Sequence, residues 1–385
     1  MKAQVRRDAL LETLGRVKSA VPGKHTLPVV TNVLIQAKDG QLTLAGYDLE
    51  TALLSSCKAT IEKAGSAAVS PKALEDFLKQ VQAEKVSIEV KGKMRTERGY
   101  EWQPNQETGD QERQEVIRRY KEPTFTIQAD GARSTLAAVD KKDFPPIPGD
   151  KGKEFTLSGL DRGLREVSYA MSRDGIRPAL NGVCLTPNGK KVELAASDGF
   201  RLAITPVAGK GLPEQVILPA GTVRLLLKTV RGRVTGTYRK DKAGKRFLSF
   251  RQDGLTIITR AVDSQFPKYC QLVPKGGRTL QVASDSLKKA LKMVMAIKPA
   301  DGTVRLRTRG QTLVISGKNN DTGQTTEARL PARGRAKIAF NGSYLEDLLS
   351  RSGETLELRI TGPQSPGVAR NNGTTHVIMP KFVQW

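Results

Sequence analysis

The sequence predicts an α+β protein made of three similar domains, each with two helices packed on antiparallel sheets. Three observations predict it. A short strand followed by an amphipathic helix occurs three times along the 385 residues. A second, shorter helix follows each of these, again after a strand. Segments such as 41–45 and 303–307 alternate apolar and polar residues, the period of antiparallel strands with one solvated face.

The first copy opens at Gln4-Val5-Arg6-Arg7 and carries Leu10, Leu14, Val17 and Val21 on one helical stripe. The second opens at Phe155-Thr156-Leu157 and repeats the stripe as Leu160, Leu164, Val167 and Met171. The third opens at Leu280-Gln281-Val282 and repeats it as Leu287, Leu291, Val294 and Ile297. The spacing i, i+4, i+7 is the buried face of a surface helix. Ser284 or Asp285 is the expected N-cap of the third, and Pro22 and Pro299 end the first and third. The shorter helices begin at Ser70-Pro71, a cap followed by proline at the first helical position, then within 218–227 and 340–349. β-like runs follow each at 86–90, 234–238 and 356–360. Turn-rich stretches at 144–150, 266–269 and 274–277 place the domains at 1–150, 151–275 and 276–385. Residues 95–123 break the pattern. They are dense in Glu, Gln and Arg and read as a solvated hairpin extension or loop, in which 111–120 could form a short helix.

Composition narrows the chemistry. Lys and Arg number 63 against 39 Asp and Glu, a net charge of +24, which favours a polyanion partner such as nucleic acid. The histidines His25 and His376 exclude a His-rich metal site, and a Ser-His-Asp triad would have to use one of them. Cys57, Cys184 and Cys270 are odd in number and far apart, which fits a reducing cytoplasm. There is no membrane span, no secretory leader and no phosphate-binding glycine loop. Asp48-Leu49-Glu50 has the D-x-E form of metal-binding nuclease carboxylates, with Asp198 as a further acid. In a strand both side chains would share a face; the preferred reading is an acidic pair that fixes a local turn. Cations line the polar helix faces: Arg16 and Lys18, then Arg162 and Arg165, then Lys288, Lys289 and Lys292. The second short helix adds Arg224, Lys228, Arg231 and Arg233. Such faces meet phosphates without reading bases.

Four segments taken together resemble the bacterial DNA polymerase III β subunit, the processivity sliding clamp. They are residues 26–35 with Ala45-Gly46-Tyr47-Asp48-Leu49-Glu50, then Leu180-Asn181-Gly182-Val183 with 196–203. Phe266-Pro267-Lys268-Tyr269 with Leu272-Val273-Pro274-Lys275 and the tail Val377-Ile378-Met379-Pro380 complete the set. The resemblance implies a homodimeric ring of clamp domains, helices lining a hole through which double-stranded DNA passes. It implies no catalysis, no cofactor and no metal. It also implies a pocket for short apolar peptides of the DNA polymerase, the clamp loader and repair factors. The matching positions are Leu180, Ser197, Gly199, Phe200, Arg201, Leu202, Pro267, Leu272, Val377, Met379 and Pro380.

Lys24, Arg173 and Arg177 match loop contacts to DNA, and Leu136, Met295 and Ala296 fall near the dimer contacts. This chain departs from the family in its basic charge and in Phe200, where His is common. Pro178-Ala179 replaces an aromatic pair, and the tail 381–385 offers Phe382 or Trp385 as a cover for the pocket. The rival expectations are a metal-dependent DNA-processing enzyme using Asp48, Glu50 and Asp198, and a basic monomeric DNA-coating protein.

Overall fold

In the computed structural model, which describes residues 1–104 and 111–384, one order of elements occurs three times. The first copy is β1 (Lys2–Arg6), α1 (Arg7–Val17), β2 (Val33–Lys38), β3 (Gln41–Tyr47), β4 (Thr51–Lys63), β5 (Gly65–Val69), α2 (Pro71–Gln80), β6 (Lys85–Pro104), β7 (Gln111–Ala129) and β8 (Ala132–Val139). The second is β9 (Lys153–Ser158), α3 (Leu160–Val167), β10 (Gly182–Asn188), β11 (Lys191–Ser197), β12 (Arg201–Lys210), β13 (Val216–Pro219), α4 (Ala220–Thr229), β14 (Arg233–Lys240), β15 (Arg246–Gln252) and β16 (Leu255–Arg260). The third is β17 (Arg278–Ala283), α5 (Ser284–Ala296), β18 (Thr303–Arg309), β19 (Thr312–Lys318), β20 (Thr325–Arg333), β21 (Lys337–Asn341), α6 (Gly342–Leu349), β22 (Thr355–Ile360), β23 (Gly367–Asn371) and β24 (Thr374–Ile378).

The chain forms two compact units. One holds Met1–Asp150 with Ser249–Thr259, and the other holds the rest. In the first unit β1 pairs with β4 and β6, β3 with β4 and β2, and β5 with β2 and β8. β7 joins β6 to β8, so eight antiparallel strands close on themselves. The segment Leu255–Thr259 adds to this unit by pairing with Thr51–Ser55 of β4.

The helical stripes are buried where the spacing predicts. Leu10, Leu14 and Val17 of α1, Leu160, Leu164 and Val167 of α3, and Leu287, Leu291 and Val294 of α5 all lose their solvent. The α-helices end one step short of the predicted stripes. Val21 and Met171 each follow a tightened 3-10 turn, and Ile297 is the C-cap of α5. In α3 the absence of a side chain at Gly163 is what allows contact. A Cβ there would come within 2.6 Å of Val207 Cγ1 on β12.

Ser70 caps α2 as expected, its Oγ accepting from the Ala73 N–H at 3.4 Å, with Pro71 next. The cap expected of Ser284 or Asp285 is corrected: Ala283 is the N-cap of α5 and gives no side-chain bond. Strand β17 runs straight into the helix, so Ser284 is already helical and buried, its N–H donating to Glu354 O at 2.8 Å. The helix considered for 111–120 is also corrected. These residues lie in β7 and pair with β6 as far as Pro104↔Gln111. Without an apolar stripe a helix there has nothing to bury, whereas a hairpin satisfies its backbone by pairing alone.

In the second unit, β12 and β24 join the second and third copies through Arg201↔Ile378, Leu202↔Val377, Ala203↔His376 and Ile204↔Thr375. The Thr374 hydroxyl donates to Thr205 Oγ1 at 2.9 Å beside this seam. His376 is 2% exposed, and its Nδ1 lies 2.9 Å from the Tyr169 hydroxyl. Burial, reinforced by the Arg351 guanidinium, lowers the imidazole from 6.5 to about 4.

Two stability outcomes follow from this packing. Leu164→Ala should cost about 3 kcal/mol in chemical unfolding of the second unit, against about 0.5 kcal/mol or less for the exposed Arg162→Ala. The lowered His376 pKa stabilises the fold fully above 6.5, and that contribution is lost as pH falls toward 4, where the unfolded chain binds a proton the folded chain refuses. The loss is of the order of 3 kcal/mol. His376→Gln should flatten the dependence of the unfolding midpoint on pH across this window; equal slopes in both proteins would refute the assignment.

Candidate functional site

The D-x-E segment forms a turn. Asp48 Oδ1 accepts from the backbone N–H groups of Glu50 at 3.0 Å and Thr51 at 2.6 Å, and Leu49 takes a φ of 72°. The preferred reading of an acid that fixes a local turn is borne out for Asp48, whose carboxylate builds the β3–β4 turn; the alternative of both carboxylates on one strand face is not found. Asp198 does the same between β11 and β12, accepting from Phe200 N at 2.9 Å and Arg201 N at 3.0 Å around Gly199, whose φ is 92°. Among the described residues, no group of three or more His, Cys, Asp or Glu side chains is placed to hold a metal.

The Asp198 turn forms one edge of an apolar cleft of about 500 Å³ in the second unit. Leu180, Leu202 and Val377 make its floor, all nearly inaccessible. Phe266 and Tyr269 pack edge to face at 5.7 Å and form a wall, with the Tyr269 hydroxyl donating to Glu193 Oε1 at 2.6 Å. Burial raises the Tyr269 phenol well above its ordinary pKa, so it stays neutral. Apolar side chains stand open at and beside the mouth: Ile176 is 86% exposed, Phe200 57%, Leu272 47% and Met379 37%. A concentration of exposed apolar groups beside a dry floor is the pattern of a ligand groove.

A charged network holds the edge in place. Ser197 Oγ donates to Arg201 O at 2.8 Å and accepts from Gly199 N at 3.1 Å. Arg201 is 9% exposed; its Nε donates to Asp198 Oδ2 at 3.0 Å and its guanidinium also pairs with Asp347. The guanidinium carbon lies 5.2 Å from the Tyr169 ring centre and 4.6 Å from that of Tyr344. A buried cation paired this way is held for position and is not free to leave. Arg177 donates to Asp198 O at 2.8 Å from the rim, and a Cβ on Gly199 would lie 2.7 Å from its Nη1.

Of the positions expected in the pocket, Leu180, Ser197, Gly199, Arg201, Leu202, Pro267, Leu272, Val377 and Met379 line the cleft. Phe200 lines the adjoining groove instead, stacked on Tyr344 at 6.3 Å, and Pro380 lines neither. The expectation missed Ile176, Ser264, Phe266 and Tyr269. The motif Phe266-Pro267-Lys268-Tyr269 carried the signal for the two aromatics; nothing in the sequence marks Ser264. Arg177, expected as a loop contact to DNA, also lines the cleft, as do Pro178 and Ala179. Phe382 is 78% exposed and is not part of the cleft; Lys381 N donates to Ala339 O at 2.8 Å just before it, and Trp385 lies outside the described residues.

The helix cations divide into two groups. Arg16 pairs with Glu12 at 2.7 Å and donates to Asp253 O at 2.8 Å, and Lys18 pairs with Glu75 at 2.8 Å. Arg165 pairs with Asp161 at 2.7 Å, and Lys288 stands 3.5 Å from Asp285. Arg162, Lys289, Lys292, Arg224 and Lys228, with the loop residues Lys24 and Arg173, carry the remaining charge. Arg231 closes the end of α4, donating to Leu227 O at 2.9 Å. Leu136 lies half-buried on β8 opposite Phe125, while Met295 and the exposed Ala296 end α5.

Residues 1–99 match the family model of the DNA polymerase III beta subunit N-terminal domain, and residues 156–268 match that of its central domain, together more than half of the chain. The chain is 28% identical to a beta sliding clamp of Pseudomonas aeruginosa, covering 99% of both, and 26% identical to one of Streptomyces coelicolor, covering 91% of this chain and 88% of the relative. Among solved structures, it is similar to DNA polymerase III subunit beta from Pseudomonas aeruginosa with a TM-score of 0.83 at 24% identity, covering 100% of both chains. It is likewise similar to a sliding clamp from Bartonella birtlesii bound to griselimycin, with a TM-score of 0.79 at 26% identity and 100% coverage of both. The chain belongs to the bacterial DNA polymerase III beta subunit family, the beta sliding clamps.

Proposed function

We propose that this protein is a sliding clamp: two copies close into a ring around duplex DNA and tether the replicative polymerase to it. The observation that carries the reading is the apolar cleft at the β12–β24 seam, in a chain of the clamp family. A tether needs a site that holds a short apolar segment while the rest of the molecule holds DNA without sequence preference. The cleft suits the first task. Its floor is apolar, its mouth offers flexible Met379 and Leu272, and its polar edge is fixed by Arg201. We assign it to short apolar motifs of the polymerase, the clamp loader and repair factors, with the chain divided at 1–150, 151–275 and 276–385 and acting in the cytoplasm as a non-catalytic factor.

The remaining helix cations suit the second task. Diffuse, water-bridged phosphate contacts let a ring slide, while topology retains it on the duplex. We assign this role to Arg162, Arg224, Lys228, Lys289 and Lys292, with Lys24 and Arg173 on the loops. Arg16, Lys18 and Arg165 spend their charge on intramolecular pairs and contribute less.

Two outcomes test these assignments. Leu202→Ala with Met379→Ala should weaken binding of a fluorescent apolar clamp-binding peptide about 100-fold. The same double variant should abolish polymerase stimulation and leave assembly intact; unchanged stimulation removes the cleft from the mechanism. Replacing Arg224, Lys228, Lys289 and Lys292 by Gln should make the fall of log affinity for duplex DNA with log salt shallower, by about 0.9 for each phosphate no longer neutralised. Arg16→Gln with Arg165→Gln should change that slope less. Closed circular DNA should retain the protein at salt concentrations that strip it from linear DNA; equal retention would identify a coating protein.

A further inference from the structure

The third copy carries a concentration of charge that neither the cleft nor the helix faces use. Four segments meet there: the first residue of β17, the end of β18 with the turn at Gly310, the connection from β20 to β21, and the end of β22 with residues 361–363. Between them lies a cavity of about 830 Å³, larger than the apolar cleft. Arg278, Arg307, Arg335 and Lys337 line it, and no acidic side chain does. Among the described residues, Arg278, Arg307 and Arg335 enter no ion pair and no side-chain hydrogen bond.

Backbone pairing forces these cations together. Arg307 and Lys337 are directly opposed across β18 and β21. Leu306 and Ile338 beside them are fully buried, so alternation turns Arg307 and Lys337 to one outer face. Like charges directly across antiparallel strands are destabilising. The connection that carries Arg335 is fastened twice: Thr308 N donates to Ala336 O at 2.9 Å, and Ala336 N donates to Thr308 Oγ1 at 2.9 Å. Gly334, with a φ of 95°, brings that connection against β17, where a Cβ would run into Thr279 O. Arg335 is thereby carried to the strand end that bears Arg278. Arg309, exposed two residues beyond Arg307 on the same face of β18, extends the row past the cavity. Elsewhere the fold matches a constrained cation with acids, as it does Arg201 with Asp198 and Asp347. Here the lining supplies none.

Unbalanced cations held by the backbone around a recess focus a field that attracts a polyanion. We propose that this cavity binds the sugar-phosphate backbone of a single-stranded nucleic acid. Guanidinium groups take phosphate oxygens in pairs, and three of the four lining cations are arginines. No aromatic side chain lines the cavity, so bases find no stacking platform and stay outside; the contact reads charge and not sequence. The row from Arg278 to Arg309 is a track longer than one phosphate, which suits a strand better than a compact anion. A recess takes in one backbone, whereas a duplex presents two. The site is also separate from the helix cations assigned to duplex DNA. β17 runs from Arg278 at the cavity to Ala283, and α5 with Lys289 and Lys292 begins only beyond it.

Fluorescence anisotropy of the full chain with a labelled oligothymidylate of about 15 nucleotides tests the site. Arg278→Gln, Arg307→Gln and Arg335→Gln together should weaken binding about tenfold or more. The fall of log affinity with log salt should become shallower by about 0.7 for each phosphate no longer neutralised. Arg278→Lys, Arg307→Lys and Arg335→Lys together should keep the salt slope and recover only part of the affinity, because the charge remains and the paired contact does not. Circular dichroism should be unchanged in both variants. Retention on closed circular duplex should match that of the unaltered chain, so failure of this proposal and failure of the clamp reading are seen separately. Unchanged oligothymidylate binding by the Gln variant overturns the proposal. An equal or greater loss of binding to labelled polyglutamate overturns it too, and makes the cavity a surface for acidic protein segments.

Discussion

Backbone hydrogen bonding at strand edges is the constraint on which this structure depends. A copy of eight strands and two helices can pair most of its own edges, but two outer stretches, on the strands equivalent to β4 and β8, are left for partners outside the copy. In the second unit the stretch on β12 is satisfied by β24, and the apolar cleft lies at that seam. Leu202 and Val377 are directly opposed across it, so the floor of the cleft is itself a piece of sheet. Side chains on a paired strand have little freedom to move, so the seam limits how far the floor of the cleft can rearrange.

Charge is distributed with the same economy. The net +24 suggests a molecule coated in cations, yet several of the most suggestive residues are engaged inside the fold. Glu75 accepts from both Lys18 and Lys79 and is held below the usual carboxylate range by them. Asp161 is buried and accepts from Arg165 and from the Gly232 backbone at 3.1 Å, tying α3 to the loop ahead of β14. Arg201 is held between two carboxylates and two aromatic rings. The cations left open on the helices are fewer than the net charge suggests.

The helices and most of the cleft were legible in the sequence because their signals are local. The stripes at Leu10, Leu160 and Leu287 follow from 3.6-residue periodicity, and Ser70-Pro71 announces a helix start by backbone chemistry alone. Resemblance carried the cleft residues, since no periodicity unites Leu180, Leu202 and Val377. The misses have non-local causes. Ser284 has the chemistry of a cap, but β17 arrives as continuous strand and leaves it no turn. Residues 111–120 carry helix-forming types, but a partner strand across the hairpin decides the conformation. Asp48 is not among them: the turn-fixing role preferred from the sequence is the one its Oδ1 performs, accepting from Glu50 N and Thr51 N. Phe200 sits within the motif of the cleft, and its ring stacks on Tyr344 in the adjoining groove, a contact between residues far apart in sequence.

The seam under the cleft has a mechanical side. A ligand seated there touches Leu202 on β12 and Val377 and Met379 at the end of β24, and so grips the second and third copies together. In thermodynamic terms it acts as a reversible cross-link. Each tenfold excess of ligand over its dissociation constant adds about 1.4 kcal/mol to the work of parting the two copies. Any ligand of the cleft would therefore stiffen the β12–β24 seam that forms its floor.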